Sequence, residues 1–256
     1  MHNADLLERI KTTLDLCKPL KEQENRPSAF FIVMTGAYRR SFYTVRSIWE
    51  LGHHEELGGS VFVLVRNLLE DVVSIETILA GDADHESARF FEFIRIQKYD
   101  DLRFMVSYSK EDASMLEEMK TVAKDYEAYK VHYTDKRGRV YKSWNNKLVG
   151  QMIRELKANC APGFNAEILP LLAKIYLDGN RKSHFNPSDI LPYLYEDAQK
   201  VDSKNHIDEG LITTIALFAR LTYRYAVAYM TVTNDYQYDD LIRRAIADAD
   251  YAGMSL

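Results

Sequence analysis

Residues 61–79 read VFVLVRNLLEDVVSIETIL. Apolar side chains recur there at intervals of three and four, the period of a helix, and cover so much of its circumference that the helix must be central to the fold. A charge on such a helix is placed rather than scattered. At 100° per residue, Ser60, Arg66, Asn67, Glu70, Asp71, Ser74 and Thr77 fall within an arc of about 140°. Two readings of that arc stay open. It is the solvent stripe of an amphipathic helix, with Arg66 and Glu70 an i,i+4 pair contributing about 0.2–0.5 kcal/mol. Alternatively it faces a cleft, where guanidinium and carboxylate hold a phosphate or orient a base.

Working outward, the spacing predicts a first helix over 5–20, ending near Pro19, and a second that starts at the N-cap Ser28 and closes at Leu51-Gly52. Gly52 stands where a left-handed C-cap belongs. The central helix extends over 55–80. A fourth helix begins at Asp84 and a fifth at Glu111, together forming a projecting hairpin over 85–132, before a polar, basic loop over 133–146. Helices over 148–157, 166–177, 208–232 and 238–249 follow, with 178–192 irregular because of its glycine, asparagines and prolines. No strand is expected. The expected architecture is all-α, a multi-helix bundle of about eight helices in a single domain, 1–256.

The composition, 46% hydrophobic and 28% charged, is that of a soluble globular protein, and the net charge of -5 gives no global attraction for nucleic acid, so such a role must be argued locally. Two cysteines, Cys17 and Cys160, make no disulfide framework or C-x-x-C motif, which points to a cytoplasmic location. The first residues resemble neither a signal nor a transit peptide, and the apolar run breaks at Arg66, short of the ~18 residues that span a bilayer. No membrane role is expected.

The second polar constellation is Asn180, Arg181 and His184 in DGNRKSHFNPS. An imidazole near its ordinary pKa exchanges protons around neutrality while arginine stabilises charge on phosphate oxygens, which suits phosphodiester chemistry; a histidine bracing its loop is the structural alternative. His53, His54 and His85 lack a matching ligand pair, so neither a metal nor a cofactor is expected. Nucleotide-binding glycine loops, the G-x-S-x-G elbow and H-E-x-x-H are missing, which removes the commonest nucleotide-dependent and hydrolytic classes. Lys136, Arg137 and Arg139 beside Tyr133, Tyr141 and Trp144 mix cations and aromatics as single-strand surfaces do, but the expectation is a surface loop pinned by Trp144. Phe218, Tyr223, Tyr225 and Tyr229 are expected in helix contacts.

The runs VLVRNLLEDVVSIETIL, ESARFFEFIRIQKY, KSWNNKLVGQMIREL and LAKIYLDGNRKSHFNPS resemble a family of uncharacterised all-helical prokaryotic proteins. In that family an R-x-x-x-E helix precedes an A-R-F-x-E-like helix, a tryptophan-containing stretch and a segment with tyrosine, serine and histidine. The resemblance covers roughly 28–188 and singles out Arg66, Glu70, Arg89, Tyr99, Trp144, Tyr176 and His184. More distantly the layout is similar to HEPN proteins, helical bundles that often act as dimeric, metal-independent ribonucleases through R-x(4-6)-H. Arg181 to His184 is R-x-x-H, shorter than that motif. The resemblance implies a bundle, a homodimer and a part in stress or phage defence.

Together these give two expectations. In one, His184, Arg181, Arg66 and Glu70 act on an RNA or nucleotide phosphodiester, with Asn180, Tyr99, Arg89, Tyr176 and Trp144 binding the substrate. In the other, a non-catalytic module binds a protein partner and uses Arg66, Glu70 and His184 as a buried network that fixes helix register. A small-ligand sensor is a third.

Overall fold

The computed structural model describes residues 3–17, 28–108, 113–159, 172–177, 179, 196–233 and 238–253. Among them every regular element is helical: α1 (Asn3–Leu16), α2 (Ala29–Leu51), α3 (Gly58–Leu79), α4 (Ala83–Tyr108), α5 (Ala113–Tyr129), α6 (Val149–Ala158), α7 (Glu196–Thr233) and α8 (Asp239–Tyr251). A further helical stretch covers 172–177. The fold is an all-α bundle, as its periodicity requires.

Helix α3 is its axis. Val61, Phe62, Val65, Leu68, Leu69, Val72, Val73, Ile75 and Ile78 are buried, each removal from water stabilising by about 1.5–3 kcal/mol. It packs on α7, α2 and α6, and α7 in turn packs on α8, α2 and α1. Helices α4 and α5 pair with each other, and α5 buries only Tyr126, so the pair is a hairpin attached through α4 to α2 and α3.

Local chemistry sets the ends. Ser28 Oγ accepts the Phe31 N–H at 3.2 Å, the expected N-cap of α2, and Asp84 Oδ1 accepts the Phe30 N–H at 3.2 Å, tying that end to α4. Gly52 is not left-handed, however: its φ is -64°, continuing the helix. Glycine is needed there for room, because a Cβ would lie 2.8 Å from Leu7 Cδ2 and 3.1 Å from Leu211 Cδ2. The central helix starts later than its periodicity suggests, after a 3-10 turn at Glu55–Leu57. Helix α7 starts earlier, at Glu196, because polar residues extend it past the apolar pattern that marks its core. The basic loop contains one isolated antiparallel bridge between Thr134 and Val140.

Candidate functional site

Arg66 lies midway along α3. Its Nη2 donates to Glu70 Oε1 at 2.7 Å, and the two side chains keep 21% and 31% of their exposure. Beside them Arg40 pairs with Asp71, whose Oδ2 also accepts Ser41 Oγ at 3.1 Å. Desolvation lowers the pKa of Arg40, with Glu70 opposing the shift. The polar arc of α3 is therefore neither open to solvent throughout nor sealed: Ser60 and Asn67 are exposed, Asp71 is buried, and Arg66, Glu70, Ser74 and Thr77 lie between.

Tyr176 and Gly179 pack on Arg66. Its guanidinium carbon lies 5.7 Å from the centre of the Tyr176 ring, within cation-π range. A Cβ on Gly179 would lie 2.6 Å from Arg66 Cβ and 2.9 Å from its Cδ, so only glycine lets the backbone approach this closely. Arg66 Nε is buried and has no acceptor among the described residues. Three of the sequence-predicted residues, Arg66, Glu70 and Tyr176, thus meet, and Asn180 follows Gly179 directly in the chain. Asn180, Arg181 and His184 lie outside the described residues.

Arg89 and Trp144 meet elsewhere. They line a cavity of about 390 Å³ at the C-terminal end of α3, together with Thr77, Glu86, Lys147 and Glu155. Arg89 Nη1 holds both Glu86 oxygens at 3.2 and 3.3 Å, and Lys147 Nζ holds Glu155 at 2.5 Å. Thr77 Oγ1 is buried without a partner among the described residues. Thr77 shares a helix face with Arg66 but sits eleven residues on, about 16 Å along the axis. Tyr133 holds the cavity's α4 wall by donating to the Arg89 carbonyl at 2.8 Å, and burial first, then Glu92, push its hydroxyl up to about 12. Tyr99 is in a third place, stacked on Tyr126 at 4.1 Å in the α4–α5 hairpin. Of the loop aromatics, Tyr133 and Trp144 are core side chains at 0% and 5% exposure.

Three buried acid networks escape the sequence reading. Glu76 accepts Arg220 Nε at 2.8 Å and Arg224 Nε at 2.9 Å; Asp71 holds Arg40 and Ser41; Asp248 holds Arg9, Arg244 and Thr13. A signal for the first was present. Glu76 interrupts the aliphatic face of α3, and Arg220 and Arg224 stand four apart in the apolar run of α7. Among the described residues no group of three His, Cys, Asp or Glu is placed to hold a metal, and no helix is long and apolar enough to cross a membrane.

The model of a family described as "Family of unknown function (DUF5677)" matches residues 31–201, about two thirds of the chain. The chain belongs to this family. No curated protein and no solved structure matches it. The DUF5677 match runs from the first turn of α2 into the second turn of α7. It takes in Arg66, Glu70, Arg89, Tyr99, Trp144, Tyr176 and 180–184, while α1, α8 and most of α7 lie beyond it.

Proposed function

We propose that this DUF5677 protein acts on an RNA or nucleotide phosphodiester at the Arg66 face of α3, without a metal, as a cytoplasmic homodimer serving stress or phage defence. The supporting observation is the state of Arg66: half-buried, oriented by Glu70, its Nε lacking an acceptor among the described residues, and overlain by the stretch that leads into Asn180, Arg181 and His184. A guanidinium held by a carboxylate on one side and still 21% exposed suits a phosphate oxygen at its open edge. In this reading Arg66 and Arg181 hold the phosphate, Glu70 positions Arg66, and His184 is the acid or base. As base it takes the ribose 2′-OH proton; the 2′-oxygen bonds to phosphorus, and the P–O5′ bond breaks with a proton passing to the leaving oxygen. The products are a 2′,3′-cyclic phosphate and a 5′-hydroxyl.

The test is cleavage of end-labelled RNA, with DNA as control, in the presence of EDTA. The expected result is RNA cleavage, reduced at least 100-fold by His184→Ala and by Arg66→Gln in proteins that melt like the parent. No cleavage by the parent, or full activity in both variants, overturns the proposal. Size-exclusion with light scattering reads the dimer. The competing reading, a non-catalytic module held by an Arg66-Glu70-His184 network, expects His184→Ala to lower the melting temperature instead. The 21% and 31% exposure of Arg66 and Glu70 weighs against a sealed network.

A further inference from the structure

A strongly basic stretch of the chain lies away from the Arg66 site. Residues 130–147, KVHYTDKRGRVYKSWNNK, hold six Lys or Arg and one Asp, a local charge of +5 in a chain of -5, which leaves -10 for the other residues. The stretch is built as a rigid hairpin. Thr134 and Val140 bridge, the Tyr141 N–H donates to the Tyr133 carbonyl at 2.7 Å, and the Asp135 N–H donates to the Arg139 carbonyl at 2.8 Å. Asp135 Oδ1 accepts the Arg137 and Arg139 N–H groups at 2.8 and 2.9 Å, and Oδ2 accepts Arg139 Nε at 2.9 Å. Gly138, at φ +75°, closes the turn. The one acid is thus committed to the turn and to Arg139, while Lys130 and Lys147 are paired with Glu127 and Glu155. Lys136, Arg137 and Lys142 are exposed and make no ion pair among the described residues, and His132 is exposed beside them.

From this geometry we infer that the hairpin over 134–142 is a docking site for the phosphate backbone of single-stranded RNA, read without regard to sequence. Tyr133 and Trp144 are in the core and Tyr141 is half-buried, edge-on to Tyr133, so the contact is mainly electrostatic. A narrow hairpin lets a thin strand meet the cations alone, whereas a flat anionic membrane would also meet exposed acids beside it such as Glu127 and Glu155. This inference does not rest on the Arg66 reading, since it concerns binding and not cleavage.

The test is fluorescence anisotropy of a labelled 12-nucleotide oligouridine from 50 to 200 mM salt, in a His184→Ala background so that turnover cannot consume the probe. Three phosphate contacts predict a slope of log K against log salt near -2, at about -0.7 per contact. The triple substitution Lys136→Gln, Arg137→Gln, Lys142→Gln, at exposed positions, is expected to flatten that slope towards zero and weaken binding at least tenfold at 50 mM, and oligoadenosine is expected to bind within threefold of oligouridine. The inference is overturned if the parent does not bind, if the triple variant keeps the parent slope, or if the protein binds phosphatidylserine vesicles and not RNA. Loss of cleavage with docking intact would refute only the Arg66 proposal.

Discussion

Replacing Glu76 by glutamine tests what holds α3 in place. Glu76 and Arg220 have side chains only 4% and 1% exposed, and Glu76 Oε1 sits 2.8 Å from Arg220 Nε and 2.9 Å from Arg224 Nε. Glutamine keeps the shape but removes the charge that both guanidiniums face. Arg224, 26% exposed, can turn towards water; Arg220 cannot. Removing one partner of a buried pair costs about 3–5 kcal/mol, a large share of a typical total of about 5–15. For a chain of this size that is a fall in Tm of about 6–20 °C. Arg224→Met should cost less, about 1.5–3 kcal/mol, since Glu76 retains Arg220. The assay is urea and thermal unfolding followed by circular dichroism at 222 nm, with Asp125→Asn in the exposed Arg95–Asp125 pair as the control, expected to cost about 0.2–1 kcal/mol. Glu76→Gln within about 1 kcal/mol of the parent, or no worse than Asp125→Asn, refutes the argument.

Gly179→Ala and Gly36→Ala should differ in sign. A Cβ at Gly36 meets nothing within 4 Å, so alanine gains about 0.5–1 kcal/mol of helix propensity, whereas at Gly179 a Cβ 2.6 Å from Arg66 Cβ adds an overpacking cost of about 1–3 kcal/mol; thermal melts compare them. Burial pushes the hydroxyl of Tyr133 up to about 12 and those of Tyr38 and Tyr225 well above the ordinary tyrosine range near 10. Raised acids hold their proton in the folded state, so their stabilisation is complete below pH 10 and is lost as pH rises towards 12; absorbance at 295 nm and circular dichroism should change together there, and independent tyrosine ionisation near 10 in a folded protein would contradict this. Burial likewise pushes the Cys17 thiol up to about 11, so in a Cys160→Ser background a disulfide reagent at pH 8 should label Cys17 only on unfolding.

The helices were legible where period and punctuation agree. Ser28 caps α2 because its hydroxyl replaces a missing acceptor, a property of the residue itself. Gly52 was misread because glycine serves two purposes, a positive φ or a close approach, and only the neighbours Leu7 and Leu211 decide which. The start of α7 was hidden because 196–206, EDAQKVDSKNH, is mostly polar in sequence. For the candidate site, the periodicity of α3 put Arg66 and Glu70 on one face with Thr77, and the structure has them so. It could not tell that α3 is long enough to serve two places, so that Tyr176 comes to Arg66 while Arg89 and Trp144 come to Thr77. Tyr99 shares neither, since the hairpin carries it to Tyr126.

The acids of α3 explain why Arg66 points where it does. Measured from Arg66 at 100° per residue, Asp71 lies about 140° round the helix and Glu76 about 280°. Asp71 is taken by Arg40 and Ser41 of α2, and Glu76 by Arg220 and Arg224 of α7. Each ion pair fixes the rotation of α3 against one neighbour. A slip of one residue would turn α3 by about 100° and carry both carboxylates away from their cations into apolar contacts, leaving buried charges uncompensated. The remaining third of the circumference, carrying Arg66 and Glu70, is thereby held towards Tyr176 and Gly179. The sites that look purely structural are thus the ones that aim the candidate functional residue, and a variant such as Glu76→Gln should disturb Arg66 without touching it.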